Sequence, residues 1–183
     1  AIIAGETLAV FAHQEGSDPF AAPRCTFAQH GGQLSISGVK LLVRHADLAE
    51  WFIVSGLLDG APALALVEAN QHGVRRHTTR LVHASSAATI HLEAAQGTLL
   101  TAGAKPLLDR LIALQLTGLS AEAAGILRAA CDETFAYLTT RKQFGVPLAS
   151  FQALQHRAAD MHIAAEEARV LAARAADLLD AVS

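Results

Sequence analysis

Residues 137–160 read YLTTRKQFGVPLASFQALQHRAAD, and this stretch decides how the second half of the chain folds. It continues a helical repeat that runs to about Thr140 and ends in an Ala-rich helical pattern, whereas Gly145 and Pro147 in its middle disfavour a continuous helix. The stretch therefore predicts a loop over 141–148 between two helices. Because the loop is short, the two helices are expected to be antiparallel neighbours.

The helix before this loop is predicted to be long. Apolar and small residues recur every three or four positions from about Pro106, a residue that suits the first helical turn, to about Thr140. The helix after the loop is predicted to start at about Ser150, which is a candidate N-cap. The repeating positions are Leu108, Leu111, Ile112, Gln115, Leu119, Leu127, Cys131, Thr134 and Leu138.

The first half of the chain, residues 1 to about 103, shows strand signals instead. Gln33–Val39 alternates polar and apolar residues, as a half-buried strand does. The dipeptide Asp59–Gly60 is typical of a hairpin turn. Short strands separated by turns predict an antiparallel barrel or sandwich. The other strand signals are Trp51–Ser55, Ala63–Val67 and Thr89–Glu93.

The composition excludes several classes of function. The chain has 183 residues, of which 52% are hydrophobic and 17% charged, which is too apolar for a disordered protein. Its net charge of −3 and its scattered basic residues indicate no nucleic-acid partner, and its apolar runs are too short to span a membrane. Cys25 and Cys131 are too few for a disulfide framework, so a cytoplasmic location is expected. The spacing of His72, His77 and His83 fits no metal site.

Both ends of the sequence indicate an internal piece of a longer protein. The chain begins AIIAGETLAV, without Met, and ends LAARAADLLDAVS, within a helical pattern that has no Gly stop. A processed or tagged protein is the alternative.

The segment 137–169 resembles the signature of the acyl-CoA dehydrogenase family. About 50 residues match this family without a gap, including Gly125, Asp132 and Glu133 upstream of the segment. The signature consists of an Arg-x-x-Phe-Gly joint, a Phe-Gln pair, an Ala-Asp-Met triplet and an Ala-Arg pair. In this chain these are Arg141 with Phe144 and Gly145, Phe151–Gln152, Ala159–Met161 and Ala168–Arg169.

The resemblance implies an α+β fold. Members of the family have an N-terminal helical domain, a β middle domain and a C-terminal four-helix bundle. This chain is expected to hold the β middle domain at 1–103, as an antiparallel barrel or sandwich, and the first two long helices of the bundle at 104–183.

The resemblance also implies a cofactor, FAD, and an acyl-CoA substrate. In the family, the segment between the two helices extends into a neighbouring subunit and contacts its flavin. The planar guanidinium of arginine suits the pyrophosphate of this cofactor. The flavin-contacting positions correspond to Arg141, Gln143, Phe144, Phe151 and Gln152, with Ser17 in the β-domain. Without the resemblance, Arg141 would be a solvated helix-end residue, and Phe144 and Phe151 would be core residues.

The β-domain departs from the two flavin motifs of the family. The Thr-Glu-Pro-x-x-Gly-Ser-Asp motif appears as residues 11–18, where Phe11 replaces a Thr that would bond the flavin ring and only the final Gly-Ser-Asp is kept. The Gly-x-Lys-x-Trp-Ile-Thr-Asn motif appears as residues 38–45. Here Leu42 replaces the Trp that would pack on the ring, and Arg44 replaces the Thr that would bond its reactive nitrogen.

The catalytic base is not visible in the sequence. Some members place it where this chain has Gln115, whose amide cannot take up a proton, and most place it beyond residue 183. A heteromer can contain a subunit that keeps the segment between the helices but has lost its own flavin motifs, and this chain shows that combination. The chain is most similar to the small subunits of pimeloyl-CoA and steroid side-chain dehydrogenases. A complete homo-oligomeric enzyme and a structural protein that has lost its flavin are the alternatives.

Overall fold

The first part of the chain forms a seven-stranded sheet that closes on itself. The structure, a computed structural model, describes residues 2–18 and 20–181. It divides into two units, Ala1–Asp109 and Arg110–Ser183. The strands are β1 (Ala9–Ala12), β2 (Thr26–His30), β3 (Gln33–Arg44), β4 (Trp51–Leu58), β5 (Ala61–Glu68), β6 (Val74–Arg80) and β7 (Ser86–Ala102).

Five strands form the closed ring. Strand β4 pairs with β2, β2 with β3, β3 with β7, β7 with β5, and β5 with β4 again, while β1 pairs with β4 and β6 pairs with β7. The ring includes one parallel pair, β2 with β4, and β1 is also parallel to β4. The predicted α+β fold with a β-barrel is therefore confirmed, but the sheet is mixed and not purely antiparallel.

The predicted hairpin turn joins two of the expected strands. Asp59 and Gly60 have φ of 52° and 79° and connect β4 to β5, as a type I′ hairpin requires.

Apolar side chains from the strands fill the barrel, and alanine contributes many of them. Fully buried members of this core are Ala12, Ile36, Ala46, Phe52, Val54, Ala63, Ala65, Val67, Ile90 and Ala95.

The second unit contains two long antiparallel helices, α1 (Lys105–Thr140, which starts in the first unit) and α2 (Gln152–Ala181). The Cys131 thiol approaches the Met161 carbonyl at 3.5 Å, and the rings of Phe135 and His162 are 6.4 Å apart. The expected N-cap at Ser150 is wrong. Ser150 belongs to a 3-10 turn, Leu148–Ser150. The amide of Phe151 donates a hydrogen bond to the carbonyl of Leu148 in this turn, and α2 starts at the next residue, Gln152.

Two helices alone bury little of their apolar surface. Cys131, Ala165 and Ala172 are buried, while Leu119 and Leu127, both predicted to lie on the buried stripe, are 42% and 41% exposed. Other exposed apolar side chains of this unit include Leu114, Ile126, Ile163, Val170, Leu171 and Leu178. Within the described residues, neither helix is long and apolar enough to cross a membrane.

Candidate functional site

The predicted loop between the helices is a tight β-hairpin. Strand β8 (Lys142–Gln143) pairs with β9 (Val146–Pro147), and the amide of Leu148 donates to the carbonyl of Arg141 at 2.9 Å. Phe144 and Gly145 form the turn with φ of 52° and 84°, which again fits a type I′ turn. The Gly-Pro pattern indicated a break in the helix but not this pairing.

Phe144 is held in an unfavourable conformation and exposed to solvent. Bulky residues rarely adopt positive φ because the Cβ crowds the backbone, and this side chain is 91% exposed. Its ring and that of Phe151 lie edge to face, with centroids 6.3 Å apart and planes at 84°. Phe144 is therefore not a core residue, whereas Phe151 is half-buried. Strained residues of this kind concentrate at binding sites.

Of the polar residues predicted to contact flavin, Arg141 directly precedes this hairpin, Gln143 lies on β8 and Gln152 begins α2. Arg141, Gln143 and Gln152 are all exposed. No carboxylate in the described ranges 2–18 and 20–181 forms an ion pair with the Arg141 guanidinium. This segment therefore carries an uncompensated positive charge at Arg141 and an exposed aromatic ring at Phe144.

A second candidate site lies in the barrel unit, where both divergent motifs meet at a buried ion pair. The side chain of Lys40 on β3 is fully buried, and its ammonium donates to Glu15 Oε1 at 2.6 Å. It also donates to the carbonyl of His13 and to Ser55 Oγ on β4, both at 3.0 Å. All three ammonium protons are therefore hydrogen-bonded, as a buried charge requires.

Glu15 has a lowered pKa as a result. Burial acts to raise the pKa of its carboxyl, but the hydrogen bond and charge of Lys40, with the amides of Cys25 and Arg24, outweigh burial and lower it from 4.5. The ion pair is therefore fully formed at neutral pH. Burial also raises the pKa of the neighbouring Cys25 thiol to about 11, which keeps this thiol protonated.

Acid is expected to remove this contribution to stability. Because the pKa of Glu15 is lower in the folded state than the ordinary 4.5, its stabilisation is complete above that pH and is lost as the pH falls through the folded-state value. The difference in free energy of unfolding between wild type and Glu15→Gln should shrink below about pH 4.5 in urea titrations at decreasing pH. Glu93→Gln, which opens the exposed Arg75–Glu93 pair, is the control. A difference that stays constant in acid contradicts this expectation.

The replaced motif residues lie on strands β1 and β3 of the same barrel. Phe11 stacks on the His13 ring with centroids 5.5 Å apart. Leu42 is 57% exposed, with φ of 50°, in an irregular stretch of β3. Arg44 is exposed, and Ser17, also exposed, lines a pocket of about 250 Å³ formed by residues 13–18 and 21–24.

Comparisons with known proteins agree with this architecture. Residues 110–183 match the family described as acyl-CoA dehydrogenase, C-terminal domain. A solved structure of a variant of the Tcur3481-Tcur3483 steroid ACAD superimposes with a TM-score of 0.85 at 30% identity, over 100% of this chain and 50% of that chain. The chain has the fold of the acyl-CoA dehydrogenase family.

Sequence relatives carry names from the same family. The probable short/branched chain specific acyl-CoA dehydrogenase of Dictyostelium discoideum is 30% identical over 91% of this chain and 43% of its own length. The mitochondrial short-chain specific acyl-CoA dehydrogenase of Bos taurus is 46% identical over 34% of this chain and 15% of its own length. The chain thus spans half or less of the length of these relatives. The family resemblance predicted from residues 137–169 is confirmed, and the placement among small subunits stays a prediction.

Two features of this acyl-CoA dehydrogenase-like chain bear on its chemistry. Gln115 lies exposed on α1, and its amide cannot serve as a base. The Lys40–Glu15 pair was missed by the sequence analysis, although a signal for it exists. Lys40 follows Leu34 and Ile36 at even spacing on β3, so the alternation of the strand directs the lysine inward.

Proposed function

We propose that this chain is part of a flavin-dependent acyl-CoA dehydrogenase and that its helix-joining hairpin contacts the FAD of a neighbouring subunit. The strained and exposed Phe144, three residues after Arg141 in the same helix-joining segment, is the observation that carries the proposal. In such an enzyme the bound flavin supplies the hydride acceptor for α,β-dehydrogenation of an acyl-CoA thioester.

The hairpin residues fit the chemistry of this cofactor. The free guanidinium of Arg141 suits a pyrophosphate, to which it can donate two parallel hydrogen bonds. The amides of Gln143 and Gln152 can donate to and accept from a ring edge or a ribose. Phe144 and Phe151 supply apolar contact area for a planar ring, and their edge-to-face arrangement leaves the Phe144 ring accessible.

The barrel unit fits the same cofactor less well. At the positions where the family contacts the isoalloxazine, Phe11 and Leu42 have no hydrogen-bonding groups in their side chains. This asymmetry supports a role in a hetero-oligomer whose partner binds the flavin, and the similar steroid ACAD is itself named as a pair, Tcur3481-Tcur3483. A complete homo-oligomeric enzyme is the alternative assembly. The loss of flavin-contacting groups in the barrel unit also favours a second candidate, a structural protein without flavin. We also propose that the protein is located in the cytoplasm.

The absorbance of bound flavin distinguishes the hetero-oligomer, the complete homo-oligomer and the structural protein. The full-length protein is purified alone and with the protein encoded by the adjacent gene, and the flavin band of each is recorded. Flavin in the pair alone supports the hetero-oligomer, and flavin in the single protein supports the complete enzyme. Absence of flavin from both preparations contradicts the enzyme and leaves the structural role.

Arg141→Ala is expected to weaken flavin retention in the loaded complex by about ten- to a hundredfold. Loss of charge-assisted hydrogen bonds to phosphate has this magnitude. Arg174→Ala, which removes an exposed arginine from the C-terminal third of α2, serves as the matched control. Flavin dissociation is followed by fluorescence after dilution. Equal retention by both variants contradicts a contact between the hairpin and the cofactor.

Phe144→Asn is expected to separate stability from function. Asparagine adopts positive φ more readily than phenylalanine, so the hairpin should gain up to about 1 kcal/mol in free energy of unfolding. The loss of the exposed ring should nevertheless weaken flavin retention in the complex. Denaturation of the free chain and flavin dissociation from the complex measure the two effects. A variant that loses stability and retains flavin normally contradicts the role assigned to Phe144.

A further inference from the structure

The Lys40–Glu15 pair connects the barrel to one particular segment, here called the Glu15 loop and defined as residues 13–18 and 20–25. The Lys40 ammonium ties Ser55 of β4 to the start of this loop through the His13 carbonyl and the Glu15 carboxylate. Next to it, the amide of Leu41 on β3 donates to the carbonyl of Gln14 at 2.7 Å.

The same carboxylate holds the far end of the loop. Its Oε2 accepts from the amide of Arg24 at 2.8 Å and its Oε1 from the amide of Cys25 at 3.1 Å. Arg24 reinforces this closure, since its guanidinium donates to the Glu15 carbonyl at 2.8 Å. Glu15 therefore closes the loop on itself, and Lys40 fixes the closed loop to the barrel.

A purely stabilising purpose does not account for this arrangement. Replacing a buried ion pair by well-packed apolar residues is often neutral or stabilising, so a buried pair is weak support for stability alone. Within the described ranges, Lys40 and Ser55 are the buried polar side chains, while apolar residues fill the rest of the core. Glu15 directly precedes the Gly16–Asp18 segment, which lines the pocket of about 250 Å³.

We infer that Lys40 and Glu15 are positioning residues that set the place of the Gly16–Asp18 segment, and with it the wall of the pocket lined by Ser17. The link from this wall to a bound cofactor rests on the proposed function, whereas the positioning of the loop does not. The pair acts through the loop backbone: Lys40 is fully buried, and both carboxylate oxygens of Glu15 already accept hydrogen bonds from within the protein.

Amide hydrogen exchange on the full-length protein without flavin tests the inference. Glu15→Gln should speed exchange of the Arg24, Cys25 and Leu41 amides by about ten- to a hundredfold, the magnitude expected from loss of charge-assisted bonds. Amides of the β4–β5 pair should change little. Glu93→Gln, which opens an exposed ion pair on the same barrel, should leave the loop amides unchanged. Unchanged loop exchange in Glu15→Gln overturns the inference.

A double variant separates positioning from folding. Lys40→Met combined with Glu15→Met removes both charges, so it should restore barrel stability relative to Lys40→Met alone while leaving the loop amides in fast exchange. Protection of these amides at the wild-type level in the folded double variant overturns the inference. Because no flavin takes part, failure here is distinct from failure of the flavin proposal, which the absorbance of the loaded complex reports.

Discussion

Lys40→Met is expected to lower the free energy of unfolding of the barrel unit by about 3–5 kcal/mol, the range measured when one member of a buried ion pair is removed. The methionine fills much of the same volume but leaves the Glu15 carboxylate, with only 10% of its side chain exposed, without its cation. The hydroxyl of Ser55 and the carbonyl of His13 lose a donor at the same time.

Urea denaturation followed by Trp51 fluorescence measures this effect, because Trp51 begins β4 of the same barrel. Lys105→Met is the matched control. Its ammonium pairs with Asp109 at 2.6 Å, but the lysine side chain is 67% exposed. An exposed pair of this kind contributes at most about 1 kcal/mol. If Lys40→Met and Lys105→Met lower the free energy of unfolding equally, burial of the Lys40–Glu15 pair does not have the importance assigned to it.

Gly38→Ala is expected to cost about 2–5 kcal/mol, since it combines backbone strain with overpacking. Gly38 has φ of 149°, and an added Cβ would lie 2.3 Å from Cys25 Sγ and 2.9 Å from Cys25 Cα. The second atom belongs to the backbone, so rotation of the cysteine side chain cannot relieve the contact. The displaced Cys25 amide would also move away from Glu15.

Gly60→Ala isolates the strain component for comparison. Gly60 has φ of 79°, but nothing lies within 4 Å of an added Cβ, so only about 1–2 kcal/mol should be lost. Combining Gly38→Ala with Cys25→Ala removes the nearest sulfur and should recover part of the stability. Thermal and urea denaturation of the three variants provide the measurement. If Gly38→Ala costs no more than Gly60→Ala, the close approach is unimportant.

Much of the fold could be predicted from local patterns. The alternation in Gln33–Val39, the Asp59–Gly60 turn and the long helical repeat each reflect a single element, and all three exist in the structure. The parallel pairs of β4 could not be predicted in this way, because they join strands that are distant in sequence. The exposure of Leu119 and Leu127 also escaped prediction, since periodicity marks an apolar face but does not supply its partner.

The candidate site was predictable only in part. The hairpin residues follow one another in sequence, so a motif records them, and Gly145 signals a turn. The strain at Phe144 leaves no such signal, because phenylalanine is not a residue that favours positive φ. The Lys40–Glu15 pair depends on a separation of 25 residues and on a closed barrel that brings the two side chains together. Their contact is a property of the assembled sheet.

Strand β7 has a consequence for folding kinetics during synthesis. Its 17 residues pair with β3, β5 and β6, and the β3 pairing joins Leu34 to Gly97. Contacts this far apart in sequence slow folding, because the loop-closure entropy is lost before the pairing is gained. Until Ala102 has left the ribosome, β3 and β5 keep unpaired edges that invite aggregation. We therefore expect nascent chains that end before β7 to depend on chaperones.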